Sequence, residues 1–329
     1  MLARRFFSSS SRFAHENPLG LPRNTPQAPQ IPRRTGPIAP RKIPNVKHVV
    51  LVSSCKGGVG KSTIAVNLAV SLALSRLHVG ILDLDIFGPS IPTLMGLRSA
   101  SEPELTSGGA LRPITNHSIP TMSMAYLLPP MPPNPTDPGS QINTSSDTPV
   151  VWRGLMVQKA VQQLLFQVDW TGGEGGPGLD VLVIDLPPGT GDIPLSLGQL
   201  VIVDGTLIVS TPQDVALTDV RRGISMFRKL NLPLTGLILN QSYFLCPSCT
   251  TPHHLFGAPD LFRRTAKSLD IPILAELPLV PGVSEGGDGG APYALTSKAK
   301  EGGRGGEEWR SGMKDAAQRV LDSIKQQTK

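Results

Sequence analysis

A doubly wound, mostly parallel α/β sheet with helices on both faces is the fold this sequence predicts. Three observations point to it. Short, continuous apolar runs alternate with segments of helical periodicity. The first run ends in a glycine-rich loop that opens a helix, S-C-K-G-G-V-G-K-S at 54–62. Two aspartate motifs, D-L-D-I-F-G-P-S at 83–90 and D-L-P-P-G-T-G-D at 185–192, follow later runs. They therefore fall at the carboxyl ends of strands, where such sheets bind ligands.

Residues 47–53 (K-H-V-V-L-V-S) are a buried parallel strand, continuous in apolar character. Residues 62–75 follow as a helix, with Ile64, Leu68 and Leu72 at four-residue spacing. A second strand at 79–84 ends on Asp83 and Asp85. Helical periodicity then runs over 152–168 through Leu155, Ala160, Val161, Leu164 and Leu165. V-L-V-I at 181–184 is a strand that ends on Asp185. Two more strands, 206–210 and 236–239, flank a helix near 215–230. A last strand at 273–277 and a closing helix at 307–324 complete the sheet. Three segments resist the pattern. Residues 128–149 read as a mobile Pro/Ser/Thr/Asn-rich insertion, 171–178 as a glycine-rich hairpin or loop, and 285–306 as a flexible glycine-rich excursion. Met122, Met124 and Met131 read as packing residues, and Trp152 with Arg153 as an anchor at a helix start or an interface pair.

The 329 residues suffice for one large α/β domain with tails. The net charge of +6 is uneven: residues 1–47 hold nine Lys/Arg and the single acid Glu16, which leaves 22 basic against 24 acidic residues in 48–329. A domain near neutrality gives no reason to expect a nucleic-acid partner. The arm opens M-L-A-R-R-F-F-S-S-S-S-R-F-A-H, with Arg4, Arg5 and Arg12 placed opposite Leu2, Phe6 and Phe13 on a helix. This is the composition of an organellar import presequence, and it points to the mitochondrial matrix; the plainer reading is a disordered tail. Eight prolines in 17–44 make an extended linker unable to bury a core. The expected division is thus 1–45, presequence and linker, and 46–329, a nucleotide-binding domain. No run is long and apolar enough for a transmembrane segment.

The loop at 54–62 is one step from G-x-x-x-x-G-K-[ST], with Cys55 in the first glycine slot and a second lysine, Lys56, after it. Gly57, Gly58, Val59 and Gly60 supply backbone N–H groups to a phosphate, and the helix starting at Lys61 adds its positive end. Lys61 would reach the β- and γ-phosphates of ATP, Ser62 would take a Mg²⁺ position, and Thr63 would add a phosphate contact. A glycine-rich turn with a capped helix is the plainer alternative. Asp185 would hold Mg²⁺ through water, and Gly189 and Gly191 would let its loop approach the γ-phosphate. Asp85 would orient the attacking water with support from Asp83. Alone, either aspartate motif reads better as a cap or turn; the two together in a phosphate-loop chain favour the functional reading.

K-G-G-V-G-K-S-T, D-L-D-I-F-G-P-S, D-L-P-P-G-T-G-D and C-P-S-C (246–249) together resemble the Mrp/Nbp-type P-loop ATPases, iron–sulfur cluster scaffolds or carriers in the MinD-like, deviant-Walker group. The likeness runs from about residue 46 to the last helix and includes V-V-W-R-G-L-M (150–156), S-T-P-Q-D-V-A-L (210–217), N-Q-S (240–242) and H-L-F-G (254–257). With the import-like arm, it is most similar to the mitochondrial members that supply 4Fe–4S clusters for complex I assembly. The resemblance implies that Lys56 reaches across a homodimer to the partner's nucleotide, as an arginine finger does. It also implies that Asn240 reads the adenine, for which one amide offers both a donor and an acceptor. The family carries glycine or alanine where this chain has Cys55. A Cβ there forbids positive-φ conformations, which puts the loop's geometry in question.

Cys246 and Cys249 supply two thiolates. A 4Fe–4S cluster takes four, and a closed zinc site also takes four ligands. A C₂ dimer supplies the missing pair, as the resemblance also implies. Zinc at the same thiolates, a dithiol/disulfide pair and a purely structural role stay open. His253 and His254 follow at a spacing that matches no common zinc pattern, so they are candidate ligands or loop packing. The sequence therefore reads as an ATP-dependent scaffold or carrier of a labile 4Fe–4S cluster for apoproteins, with complex I subunits named by resemblance only. Two alternatives remain. One is a MinD/ParA-like nucleotide switch without a cluster, which C-P-S-C and the lack of a basic amphipathic C-terminal helix argue against. The other is a non-hydrolysing scaffold in which Cys55 has compromised the loop and the thiols hold zinc.

Overall fold

The computed structural model describes residues 39–86, 88–127, 154–172, 175–296 and 302–327. Its elements are β1 (Val46–Ser53), α1 (Lys61–Leu74), β2 (Val79–Asp83), α2 (Ile91–Leu94), β3 (Ile114–Asn116), β4 (Ile119–Ser123), α3 (Gly154–Phe166), β5 (Leu179–Asp185) and α4 (Asp192–Leu200). Then follow β6 (Gly205–Ser210), α5 (Asp214–Lys229), β7 (Leu234–Leu239), β8 (Phe244–Leu245), β9 (Pro252–His253), α6 (Asp260–Ser268), β10 (Ile273–Glu276), α7 (Pro281–Asp288) and α8 (Gly303–Gln327).

Among the described residues the main sheet has the order β10-β7-β6-β1-β5-β2-β4-β3, and β8 with β9 forms a separate hairpin. Every pairing in the main sheet is parallel except β3 with β4. β1 shows why its sequence is apolar throughout. Val49 and Leu51 enter one core, and Val50 and Val52 enter the other. A strand sends alternate side chains to opposite faces, and here helices cover both. One layer carries Leu164, Phe227 and Phe262 from α3, α5 and α6. The other carries Leu68 and Leu72 from α1 and Trp309 and Met313 from α8. The chain crosses from β1 to β2, later inserts β5 between them, and then lays β6 on the far side of β1. The strand order thus reverses about β1, which opens a crevice at its carboxyl end.

The structure corrects two expectations. Residues 285–306 are not a flexible excursion where they are described. Glu285 lies inside α7, and Tyr293 is buried with its ring edge-on to Trp309 at 5.4 Å. The glycines serve close packing: a Cβ on Gly302 would stand 2.6 Å from the Tyr293 hydroxyl, and Gly290 packs directly on the backbone of Gly96. The linker is also shorter than residue 45. Arg41 bridges to Val201 and stacks its guanidinium 3.7 Å above the Phe166 ring, and Ile43 is buried in the core. Within 171–178, the described residues form a turn held by Asp169, whose carboxylate accepts from the Thr171 amide and hydroxyl. Met122 and Met124 are buried. The presequence, the 128–149 insertion, Met131, Trp152 and Arg153 lie outside the described residues.

Candidate functional site: a phosphate loop and a thiol hairpin

β1 ends at Ser53, and the loop turns at once into α1. Gly58 and Gly60 sit at φ of 77° and 82°, a region costly for residues with a Cβ. Gly60 has a second constraint: a Cβ there would stand 2.5 Å from the Asn240 amide nitrogen. Gly60 is the N-cap of α1, and no side chain caps the helix. An uncapped N-terminus with inward amides is a ready anion site. Cys55 is not among the described residues with positive φ, so the substituted position keeps ordinary backbone geometry.

The aspartate motifs converge on this loop. Lys61 is buried, and its ammonium lies 2.7 Å from Asp185 Oδ1 and 3.7 Å from Asp85 Oδ2. Ser62 donates to Asp185 Oδ2 at 2.5 Å and accepts from Lys61 at 3.0 Å. The Gly189 N–H donates to the Ser54 carbonyl at 2.8 Å, tying the second motif to the phosphate loop. Thr63 is half-buried on the first turn of α1. Asp83 pins the Asp85 loop: its carboxylate accepts from the Asp85 amide at 2.9 Å, the Ser123 hydroxyl at 3.1 Å and the Ile91 amide at 3.4 Å.

Two carboxylates thus pair with one ammonium, and the Asp83 carboxyl lies close enough to feel the charges of Asp185 and Lys61. Burial, reinforced by the charge of Asp185, pushes the Asp83 carboxyl up to about 8. Burial likewise raises Asp185, against the opposing pull of Lys61. The Ser62 hydroxyl and the Asp185 carboxylate are adjacent hard oxygens, the donor set that Mg²⁺ takes beside nucleotide phosphates. The residues present therefore fit that ion.

Lys56 donates to Gln213 Oε1 at 3.1 Å, at the N-cap of α5. Cys55 points to the same helix and packs at Gly223. Burial pushes its thiol up to about 11. Asn240 follows β7 directly and donates to the Val59 carbonyl at 2.9 Å, so it braces the phosphate loop from a neighbouring strand end. Gln213 was not singled out in the sequence. Its place in S-T-P-Q-D-V-A-L carried no sign of the Lys56 contact.

Six residues beyond Asn240 the chain reaches Cys246, in the turn of the β8–β9 hairpin. The Cys246 amide donates to the Thr251 carbonyl, and the Thr250 amide to the Cys246 carbonyl, which closes the loop around the motif. Cys249 is exposed, Cys246 half-buried, and both are free thiols. The Thr251 hydroxyl and amide beside Cys249 hold its thiol below the usual range. His254 is exposed but tethered, with Nδ1 3.2 Å from the Ser242 carbonyl and its ring edge-on to Tyr243. Among the described residues no three His, Cys, Asp or Glu side chains are grouped to hold a metal. Cys55 therefore does not join the thiol pair, which stands as two ligands among the described residues.

The main sheet thus carries a phosphate loop with two aspartate motifs, and a separate hairpin beyond β7 carries the C-x-x-C. The model of the family described as ParA: NUBPL iron-transfer P-loop NTPase matches residues 45–308. The chain belongs to this family. It is 44% identical over 263 residues to the mouse iron–sulfur cluster transfer protein NUBPL, covering 79% of this chain and 75% of that one. It is 39% identical over 286 residues to the Arabidopsis thaliana mitochondrial iron–sulfur protein required for NADH dehydrogenase, covering 87% and 81%. Among solved structures it is similar to a nucleotide-binding protein from Archaeoglobus fulgidus in complex with ADP. That match has a TM-score of 0.60 and 31% identity, over 76% of this chain and 88% of that one. The NUBPL-type fold is thus the doubly wound P-loop sheet that the sequence predicts.

Proposed function

We propose that this protein is an ATP-dependent carrier of a labile 4Fe–4S cluster, bridged across a homodimer and delivered to mitochondrial apoproteins, complex I subunits among them. The observation that carries the reading is the path of one chain segment. Asn240 braces the phosphate loop at Val59, and the same strand end leads into the Cys246–Cys249 hairpin. A change at the nucleotide is therefore a few residues away from the thiols. The family membership supports cluster transfer, and the Arabidopsis relative, a mitochondrial protein by name, supports the compartment.

In this account the amides of Gly57, Gly58, Val59 and Gly60 wrap the phosphates, with Thr63 adding a contact. Lys61 leaves Asp185 for the β- and γ-phosphates. Ser62 and Asp185 hold Mg²⁺, which supplies positive charge against the phosphates when bound. Asp85, fixed by Asp83, orients the attacking water. Lys56 exchanges Gln213 for the nucleotide of the facing subunit, so hydrolysis requires the dimer. Asn240 reads the adenine, exchanging its bond to Val59 for one to the base. The cluster is cargo: two thiolates from each copy hold it at the twofold axis, where rearrangement of the subunits exposes it.

The test is cluster transfer from reconstituted protein to an apo-ferredoxin, followed by the recipient's visible spectrum. We expect ATP to change the transfer rate, and Cys246→Ala or Cys249→Ala to abolish transfer. Transfer that is indifferent to ATP, or that survives loss of both cysteines, would sink the proposal.

A further inference from the structure

The loop that follows the thiol hairpin combines tight anchoring with exposed apolar bulk. It reads H-L-F-G at 254–257. His254, itself exposed, tethers it: Nδ1 lies 3.2 Å from the Ser242 carbonyl, its ring meets Tyr243 edge-on at 6.4 Å, and Tyr243 in turn donates its hydroxyl to Glu308 of α8 at 2.8 Å. The register Phe244↔His253 and Leu245↔Pro252 ties the same segment to β8. Yet the next two side chains face water, Leu255 at 61% exposure and Phe256 at 36%. A slack loop would bury such residues or let them move. A pinned loop that presents two large apolar side chains side by side marks a contact surface.

Its occupant follows from the thiol count. Cys246 and Cys249 offer two ligands, and the described residues nearby add no third. The site is incomplete without another chain that brings the same motif. Leu255 and Phe256 follow Cys249 by six and seven residues, so a twofold axis through the paired hairpins would bring both copies' pairs towards the rim of the shared cluster. Apolar cover at that rim limits access of water and oxidant to the sulfurs. We propose that Leu255 and Phe256 of two copies form an apolar collar that seals the dimer around its cluster. The proposal rests on the carrier reading above and assigns that site its interface residues. A recipient apoprotein is the competing occupant. It is disfavoured because a stored cluster needs cover before any recipient arrives.

The test compares the full-length wild type with Leu255→Ser/Phe256→Ser and with the conservative Phe256→Leu. All three are reconstituted anaerobically with iron and sulfide. Because both side chains are exposed, ATP affinity and thermal melting should match the wild type, and Leu255→Ser alone serves if the double variant does not fold. For the cluster-loaded double variant we expect a dimer dissociation constant raised about tenfold, the usual scale for losing an apolar interface anchor. We also expect faster bleaching of its visible absorbance in air, with Phe256→Leu close to wild type. Wild-type dimerisation and bleaching in the double variant would overturn the proposal. So would a variant that dimerises and keeps its cluster normally but delivers it slowly to apo-ferredoxin, since the pair would then dock the recipient. If the wild type itself takes up no iron at Cys246 and Cys249, the carrier reading fails first, and the iron content separates that outcome from the others.

Discussion

The sulfur of Cys55 fills the space that a side chain at Gly223 would need; a Cβ built on Gly223 would overlap it. The phosphate loop thus accommodates its odd cysteine by turning the side chain into a notch on α5 where the helix has no side chain. The two positions should be energetically coupled. Gly223→Ala ought to destabilise the protein by about 1–3 kcal/mol through overpacking, although alanine is the better helix former. With Cys55→Gly the notch is open, and the same Gly223→Ala change should become neutral or stabilise by up to about 1 kcal/mol. Urea denaturation of the four proteins in the cycle measures this. Equal effects of Gly223→Ala in both backgrounds would show that the contact carries no energy.

Lys56→Ala should leave ATP affinity nearly unchanged, because the proposed phosphate contacts are those of Lys61 and the glycine amides. Turnover should fall at least about 100-fold if Lys56 acts as a cation supplied in trans. Equilibrium binding and multiple-turnover hydrolysis separate the two effects. A Lys56→Ala protein with undiminished turnover would refute the role.

The three thiols should differ in reactivity. Cys249 is exposed and its thiol is lowered by Thr251, whereas Cys55 is half-buried and raised to about 11. The thiolate is the reactive form. Iodoacetamide near neutral pH should therefore modify Cys249 well before Cys55 in the cluster-free protein. Peptide mass spectrometry over time resolves the order, and early labelling of Cys55 would contradict the packing at Gly223.

Asp83 gives the nucleotide-free protein a pH dependence of definite sign. Its folded-state value, about 8, lies above the unfolded value of 3.8. The folded protein therefore binds more protons between those limits, and stability falls as pH rises through that window, by at most about 1.4 kcal/mol per pH unit. The contribution is fully present below the unfolded value and gone above about 8. Asp83→Asn should flatten the slope of stability between pH 6 and 8. Identical slopes for the two proteins would contradict the assignment.

Much of this was legible in the sequence, for identifiable reasons. β1, β5, β6 and β7 are buried on both faces, so they read as unbroken apolar runs. α5 buries Leu217, Val220, Ile224 and Phe227 at helical spacing. The phosphate loop and its aspartates are local motifs, and they converge because strand ends converge. What escaped depends on distant partners. The β3–β4 edge pair and the two-residue strands of the thiol hairpin are too short to show a period. α7 was obscured because its glycines serve packing against Tyr293 and Leu94. The Lys56–Gln213 and Cys55–Gly223 contacts each join residues more than 150 positions apart, and no local pattern announces them.

The central claim is that one chain holds half of a cluster site and a second copy supplies the rest. Iron content and particle mass, measured together on protein reconstituted anaerobically, test it most directly. A cluster shared by two copies gives about four iron atoms per dimer-sized particle, and neither cluster nor dimer forms when Cys246 and Cys249 are both replaced by alanine. A full complement of iron on a monomer, or stoichiometric zinc that iron cannot displace, would contradict it.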